Sequence, residues 1–231
     1  MGRHHSYGLD WIDEDKLFDV ASHCFSRLPD KARKSGFNAP PDPFTIATQA
    51  VLFDQDSESM MAFEKLRAIN KTISNSVGEF HQSVLGLADG WNNLGPTGGV
   101  VDLMVSRDDG SRLMAVEVKN RYNTIKASDE KSMWDKLDLL SRSQGGVGYI
   151  VQIVPKTAER YDRPWQVSGR QPRETVRCCD GATAYELAFH RRDALKELYG
   201  AFPDILTDVF RSAPYGDKEG ILQYYAISMP L

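Results

Sequence analysis

Several features that mark other classes of protein are scarce or missing in this sequence. Only three cysteines occur among its 231 residues, so a disulfide framework is not expected. Two of them, Cys178 and Cys179, are adjacent, but no second pair or nearby histidine completes a zinc site. No apolar run approaches the roughly 20 residues needed to span a bilayer, and the first residues lack the apolar core of a signal peptide. These absences predict a protein of a reducing cytoplasm without a membrane partner.

Internal repeats, low-complexity tracts and a phosphate-binding Gly-x-x-x-x-Gly-Lys-Ser/Thr pattern are also missing. There is no overall excess of basic residues, since 28 Lys and Arg stand against 32 Asp and Glu, a net charge of −4. Such a balance does not by itself indicate nucleic-acid binding. The charge is uneven, however. From Lys119 to Arg177 there are 12 basic against 7 acidic residues, a local +5, and this segment is a candidate surface for phosphate contacts.

Two short apolar runs contain charged residues that packing does not explain. The run Val100–Met104 includes Asp102, and the run Ala115–Lys119 includes Glu117. The stretch between them, Arg107–Ser111, has Asp-Gly at its centre, which is typical of a hairpin turn. The sequence therefore predicts that the two runs pair as antiparallel strands.

The expected register brings the charges together. If Arg107 pairs with Arg112, Asp102 lies opposite Glu117, and directly opposed like charges destabilise a sheet. The side-chain period of two places Lys119 on the same face. Three valines are expected to point the other way, into a core: Val101, Val116 and Val118. A cluster of this kind, which breaks a local rule, is expected at a functional site.

A hard cation between Asp102 and Glu117 would remove the repulsion. Mg²⁺ suits the pair because it uses few protein carboxylates and keeps positions for water and phosphate oxygens. Lys119 could then orient or deprotonate a water molecule, or stabilise charge on a phosphorane-like transition state. The alternative from the residues alone is an exposed hairpin face with an ordinary carboxylate–lysine ion pair.

The flanking segments favour the metal site. Upstream, the apolar spacing of Asn75–Gly86 predicts a helix that carries Glu79, a further acidic group that could project toward the hairpin. Downstream, a run of donor-rich residues can contact base edges or phosphates, or can simply be the loop that leaves the strand. The predicted DNA-contacting residues are Asn120, Arg121, Tyr122, Asn123, Thr124 and Lys126.

The remaining patterns predict an α/β fold with a mixed central β-sheet flanked by α-helices. Helices are expected from about Asp13 to Arg27, around Pro43–Ala47, from Met60 to Ile69, from Ser128, from Thr183 to Tyr199 and from Pro203 to Phe210, and a buried strand at Gly148–Val154. The strand is expected beside the hairpin, after a helical crossover. We interpret 1–231 as one domain, with a helical N-terminal part, 1–72, and a catalytic core at about 73–155.

Asp102 followed by Glu117-Val118-Lys119, after a helix with Glu79, resembles the PD-(D/E)XK nuclease superfamily. More narrowly, the chain resembles type II restriction endonucleases that cut sites of the GGNCC or GGWCC kind. The segments that carry this resemblance are Leu9–Asp15, Gly78–Gln82, Leu85-Gly86, Gly90-Trp91, Glu117–Thr124, Asp180-Gly181, Tyr185–Ala188, Ala194-Leu195 and Glu197–Tyr199. One departure is that Val101 stands where the superfamily name has proline.

The resemblance implies a role for each residue of the motif. Asp102 and Glu117 bind Mg²⁺, with the Val118 carbonyl as an additional ligand; Lys119 activates water, and Glu79 assists the metal through water. It also implies a two-fold symmetric homodimer that cuts double-stranded DNA to leave a 5′-phosphate and a 3′-hydroxyl in the bacterial cytoplasm. Two alternatives stay open: another Mg²⁺-dependent nuclease of this fold, in repair or phage metabolism, and an inactive DNA-binding module. The sequence assigns no role to His81 or His190.

Overall fold

The computed structural model describes residues 4–33, 40–95, 100–106 and 112–230. The helices in this part of the chain are α1 (Glu14–Phe25), α2 (Leu28–Arg33), α3 (Pro43–Phe53), α4 (Ser57–Leu85), α5 (Ala127–Gln144), α6 (Gly181–Phe189), α7 (Ala194–Phe210) and α8 (Lys218–Ser228). The strands are β1 (Trp91–Asn93), β2 (Leu103–Ser106), β3 (Arg112–Arg121), β4 (Val147–Val154), β5 (Asp162–Pro164) and β6 (Val176–Asp180). None of the described helices combines the length and apolar character that a membrane crossing requires.

The six strands form one mixed sheet in the order β1-β2-β3-β4-β6-β5. The pairs β1–β2, β2–β3 and β5–β6 are antiparallel, and β3–β4 and β4–β6 are parallel. The parallel step from β3 to β4 is made through α5, because strands that run in the same direction need a long crossover. The expected mixed sheet with flanking helices is confirmed.

Each face of the sheet has its own hydrophobic core. On one face Leu103, Val116 and Val118 pack with residues of α1, α4, α6 and α7. On the other face Met104 and Ala115 pack beneath α5. Alternation along β3 sends its valines to the first core, which leaves Glu117 on the α5 side of the sheet.

The ends of α5, and its distance from the sheet, follow from particular residues. α5 begins after Lys126, carries Asp129 and Glu130 in its first turn, where they complement the helix dipole, and ends at Gly145 in the left-handed conformation. It lies close to β4 because Gly148 has no side chain. A Cβ at Gly148 would stand 2.7 Å from the Cβ of Leu137. The glycine therefore determines how near α5 comes to the sheet.

The predicted hairpin register is confirmed along most of the ladder. Leu103 pairs with Val116, and Val105 pairs with Met114, as the predicted register requires. The register shifts after Val105, so that Arg112 pairs with Ser106 and not, as expected, with Arg107. The predicted turn Arg107–Ser111 lies outside the described residues.

The prediction for Val101 is wrong in one respect. This side chain is buried, but it packs with Met104 and Ala115 and not with Val116 and Val118. The reason is that β2 begins only at Leu103, so the strand alternation does not extend back to Val101.

Several helix predictions are corrected in their limits. The two helices expected at Met60–Ile69 and Asn75–Gly86 are one continuous helix, α4, which also runs across the proposed boundary at 72. The helix expected from Thr183 to Tyr199 is interrupted, since α6 ends where His190 adopts a left-handed conformation. The helix expected at Pro203–Phe210 is the second half of α7, with Pro203 inside it.

Candidate active site

Asp102 and Glu117 lie side by side at the end of the β2–β3 ladder. Asp102 immediately precedes β2, and Glu117 follows the last ladder pair, Leu103 with Val116. Oδ2 of Asp102 accepts a hydrogen bond of 2.8 Å from the backbone N–H of Val118. This bond holds Asp102 against β3 just beyond the point where the ladder stops.

The proximity of the two carboxylates affects their ionisation. Burial raises the pKa of Asp102 above its ordinary value, and the negative charge of Glu117 raises it further. The hydrogen bond from Val118 and the two nearby lysines act in the opposite direction without reversing the shift. The charged form of Asp102 is therefore less favoured here than that of an ordinary exposed aspartate.

Glu117 is buried, and two lysines bind its carboxylate. Nζ of Lys119 donates to Oε1 at 2.7 Å, and Nζ of Lys136 donates to Oε2 at 2.8 Å. Burial alone would raise the pKa of Glu117, but the hydrogen bonds from both lysines outweigh burial and hold the pKa below its ordinary value. Glu117 is thus kept ionised, as a metal ligand must be.

The donor set at this point fits a hard divalent cation. Among the described residues, no group of three or more His, Cys, Asp and Glu side chains could hold a metal, so two carboxylates are the acidic ligands available here. Mg²⁺ is often held by one or two carboxylates, with water and phosphate oxygens in its other positions. In a strand the N–H and C=O of one residue point to the same edge. Because the N–H of Val118 points toward Asp102, the carbonyl of Val118 points toward that edge of β3 as well. The chemistry of these oxygens agrees with the predicted ligands.

Glu79 lies on α4, as expected, but its carboxylate is directed to α1. Oε1 of Glu79 is 3.4 Å from Nε2 of His23, and the structure does not bring Glu79 into one group with Asp102 and Glu117. One turn later on the same helix, the side-chain amide of Gln82 reaches the carbonyl of Asp102 at 3.5 Å. A metal-assisting role for Glu79 stays a prediction.

The residues predicted to contact DNA follow Lys119 at the end of β3 and in the turn after it. Asn120 is partly buried, and the others are exposed: Arg121, Tyr122, Asn123, Thr124 and Lys126. The hydroxyl of Thr124 donates to the carbonyl of Arg121 at 2.8 Å, which tightens the turn. The segment therefore presents donors to solvent directly beside the carboxylates.

Sequence reasoning missed Lys136. The residue is 19 positions from Glu117 and meets it only because α5 crosses that face of the sheet. A signal was present: Lys136 lies three residues after Met133 and four before Leu140, within the expected apolar face of the helix. A lysine in such a position indicates a buried partner.

A mixed sheet flanked by helices, with an Asp before one strand and Glu-x-Lys on the next, defines a nuclease of the restriction-endonuclease-like fold. The model of the Eco47II restriction endonuclease family matches residues 9–211, and the chain belongs to this family. It is a type II site-specific deoxyribonuclease.

Two curated proteins are similar over most of the chain. One is the type II restriction enzyme Eco47II of Escherichia coli, 31% identical over 240 residues that cover 95% of this chain and 98% of the relative. The other is the type II restriction enzyme Sau96I of Staphylococcus aureus, 26% identical over 215 residues, 87% of this chain and 80% of the relative. Family membership also implies DNA binding and a divalent metal.

Proposed function

We propose that the chain cuts double-stranded DNA at a site of the GGNCC or GGWCC kind, as a Mg²⁺-dependent restriction endonuclease. The observation that carries this proposal is the convergence of Asp102, Glu117 and Lys119 at the end of the β2–β3 ladder. Asp102, Glu117 and the Val118 carbonyl would hold the ion. When bound, Mg²⁺ supplies positive charge that polarises the scissile phosphate.

The side chains of the site divide the remaining work. Lys119 positions the attacking water and stabilises the charge that develops at phosphorus. The water loses a proton to solvent and its oxygen forms a bond to phosphorus, while the bond to the 3′ oxygen breaks and that oxygen takes up a proton from solvent. The products carry a 5′-phosphate and a 3′-hydroxyl. Glu79, one turn before Gln82 on α4, would assist the ion through water. The exposed donors from Asn120 to Thr124, with Lys126, would contact bases and phosphates next to the cut.

We further propose that the enzyme is a homodimer in the bacterial cytoplasm, because a near-palindromic site pairs naturally with a two-fold axis. The surface that supports a dimer is formed by α3 and by α4 as far as Ile73. No residue of α3 is buried, and Phe44 and Val51 are 83% and 84% exposed. The exposed apolar side chains of this α3–α4 surface are Phe44, Val51, Leu52, Phe53, Met61, Phe63, Leu66 and Ile73.

The size and charge of the α3–α4 surface fit a second copy of the chain. Its three phenylalanines expose about the area of two whole side chains, on the order of 300–500 Å², and the five aliphatic side chains add to this. Together they approach the roughly 800 Å² that each partner contributes to a standard interface. The start of α4 is acidic, at Asp56 and Glu58, and its middle is basic, at Lys65 and Lys71. Two antiparallel copies would therefore place opposite charges together.

Sedimentation can test the dimer. We expect the wild-type protein to sediment at twice the chain mass and Leu52→Glu, which places a charge in the α3–α4 surface, to sediment as a monomer. Leu139→Glu changes an exposed leucine on α5, 62% exposed against 70% for Leu52, and is expected to stay dimeric. A monomeric wild type, or a dimeric Leu52→Glu variant, would count against this surface.

Digestion of a sequenced plasmid tests the function itself. We expect discrete fragments in Mg²⁺, with ends that map to one recognition sequence and ligate without further treatment, because they carry 5′-phosphates. A ladder or progressive loss of DNA would instead indicate a nuclease that acts on ends or branched structures. No cleavage, with DNA binding retained, would indicate an inactive binding module.

A further inference from the structure

Glu117 receives a second lysine from a different element of the fold. Lys136 lies on α5 beside Leu137, which is fully buried in the core beneath the helix. Its Nζ is 2.8 Å from Oε2 of Glu117, while Lys119 occupies Oε1. Both lysines are largely shielded from solvent, with side chains 23% (Lys119) and 28% (Lys136) exposed. Each oxygen of this carboxylate is thus bound by an ammonium group.

The charges of the four side chains balance without a metal. Asp102 and Glu117 contribute two negative charges, and Lys119 and Lys136 contribute two positive charges. A divalent cation added to this group leaves two positive charges in excess. A phosphodiester brings one negative charge and gains another as hydroxide attacks, so the excess matches the transition state. With Lys119 alone, one positive charge would be missing.

We propose that Lys136 is a second catalytic lysine, which pairs with Glu117 in the metal-free enzyme and moves to an oxygen of the scissile phosphate when DNA and metal are bound. The inference rests on the proposed function and extends it. A lysine side chain is long enough for this exchange, and α5 starts directly after the exposed donors that are proposed to contact DNA. Lys136 would supply positive charge that a second metal ion supplies in two-metal nucleases.

The proposal predicts opposite effects on metal binding and on cleavage. In the DNA-free enzyme Lys136 competes with the metal for Oε2 of Glu117, so its removal should strengthen metal binding. In the transition state Lys136 contacts the phosphate, so its removal should slow cleavage. A residue that only supports the fold, or only orients Glu117 for the metal, would weaken both when removed.

The experiment compares the wild type with Lys136→Met, Lys136→Arg and the control Lys131→Met, an exposed lysine on the same helix. Mg²⁺ affinity is measured by calorimetry on the DNA-free proteins, and cleavage is measured in single turnovers at saturating Mg²⁺. For Lys136→Met we expect affinity roughly 3- to 10-fold higher and cleavage slower by on the order of 10²-fold. Lys136→Arg should keep part of the cleavage rate, and Lys131→Met should match the wild type in metal affinity.

Weaker Mg²⁺ binding by Lys136→Met, or an unchanged cleavage rate, would overturn the proposal. A thermal unfolding midpoint for each variant identifies loss of fold, in which case Lys136→Arg gives the answer. Failure of the proposed function looks different, since the wild type itself would then give no discrete fragments. The calorimetric comparison needs no DNA and still reports on the Lys136–Glu117 contact in that case.

Discussion

The backbone N–H of Val118 donates a 2.8 Å hydrogen bond to Oδ2 of Asp102, and this bond connects two of the proposed metal ligands. Asp102 lies outside the β2–β3 ladder; its carbonyl accepts a 3.0 Å hydrogen bond from the N–H of Leu94 on the β1 side, but no ladder pair joins it to β3. The bond replaces the missing ladder contact and keeps the side chain at the edge of β3. The position of the acidic pair is therefore set by backbone geometry as well as by side-chain packing.

Replacement of Asp102 by Asn should separate stability from activity. Burial and the charge of Glu117 raise the pKa of Asp102 in the folded protein. Ionisation of Asp102 therefore lowers the free energy of unfolding as the pH rises from the ordinary pKa of an aspartate through this raised pKa. Asn retains an oxygen for the Val118 N–H and removes the charge. We expect Asp102→Asn to be equally stable or more stable by about 1 kcal/mol in EDTA at neutral pH, with cleavage lost. Urea unfolding measures this, and a clear loss of stability would contradict the repulsion.

Replacement of Lys119 should affect the chemical step and leave binding intact. Lys119 contacts Glu117 and lies beside the proposed path of the water, but it is not among the exposed donors from Asn120 onward. We expect Lys119→Met to bind DNA in Ca²⁺ like the wild type and to cleave in Mg²⁺ more slowly by on the order of 10²–10³-fold. Full cleavage by this variant would rule out the proposed role.

The approach of α5 to the sheet can be tested at Gly148. A Cβ there would be 2.7 Å from the Cβ and 3.0 Å from the carbonyl oxygen of Leu137, so α5, which carries Lys136, must shift. We expect Gly148→Ala to lower the free energy of unfolding by about 1–3 kcal/mol and to reduce cleavage. Gly200, inside α7, has no atom within 4 Å of its Cβ position. The control Gly200→Ala should therefore be neutral or stabilising by up to about 1 kcal/mol.

His81 should make stability depend on pH. Its Nδ1 lies 2.8 Å from the hydroxyl of Tyr185, and burial lowers its pKa from 6.5 to about 4. Between pH 6.5 and about 4, His81 is therefore protonated in the unfolded chain but neutral in the folded protein. The free energy of unfolding falls as the pH falls through this range. The loss is on the order of 3 kcal/mol. We expect His81→Gln to show a correspondingly smaller pH dependence in chemical unfolding; an unchanged slope would mean that His81 protonates freely in the fold.

The sequence predicted the parts of the site that depend on local pattern. The turn residues and the alternation of apolar side chains were enough to set Asp102 beside Glu117, since a hairpin register depends on neighbouring strands alone. The alternation of apolar side chains gave the wrong direction for Val101, because it does not show at which residue a strand begins. The fold class followed from the order of strands and helices and from the crossover between β3 and β4.

Contacts between distant elements were not predictable in this way. Lys136 meets Glu117 only through the packing of α5 on the sheet, which Gly148 permits. The carboxylate of Glu79 is on the predicted helix, but its direction depends on the docking of α1, where His23 lies. The short strands β1, β5 and β6 were also missed; β1 and β5 have three residues each, too few for a pattern of alternation.

Plasmid digestion by the wild type and by Glu117→Gln, at equal protein concentrations in Mg²⁺, tests whether the carboxylate of Glu117 is needed for cleavage. Gln has nearly the same shape as Glu but lacks the negative charge that would hold the metal and pair with Lys119 and Lys136. We expect discrete, site-specific fragments from the wild type and no fragments from Glu117→Gln, with DNA binding by the variant preserved. The same fragments from Glu117→Gln at the wild-type rate would contradict the assignment of this site.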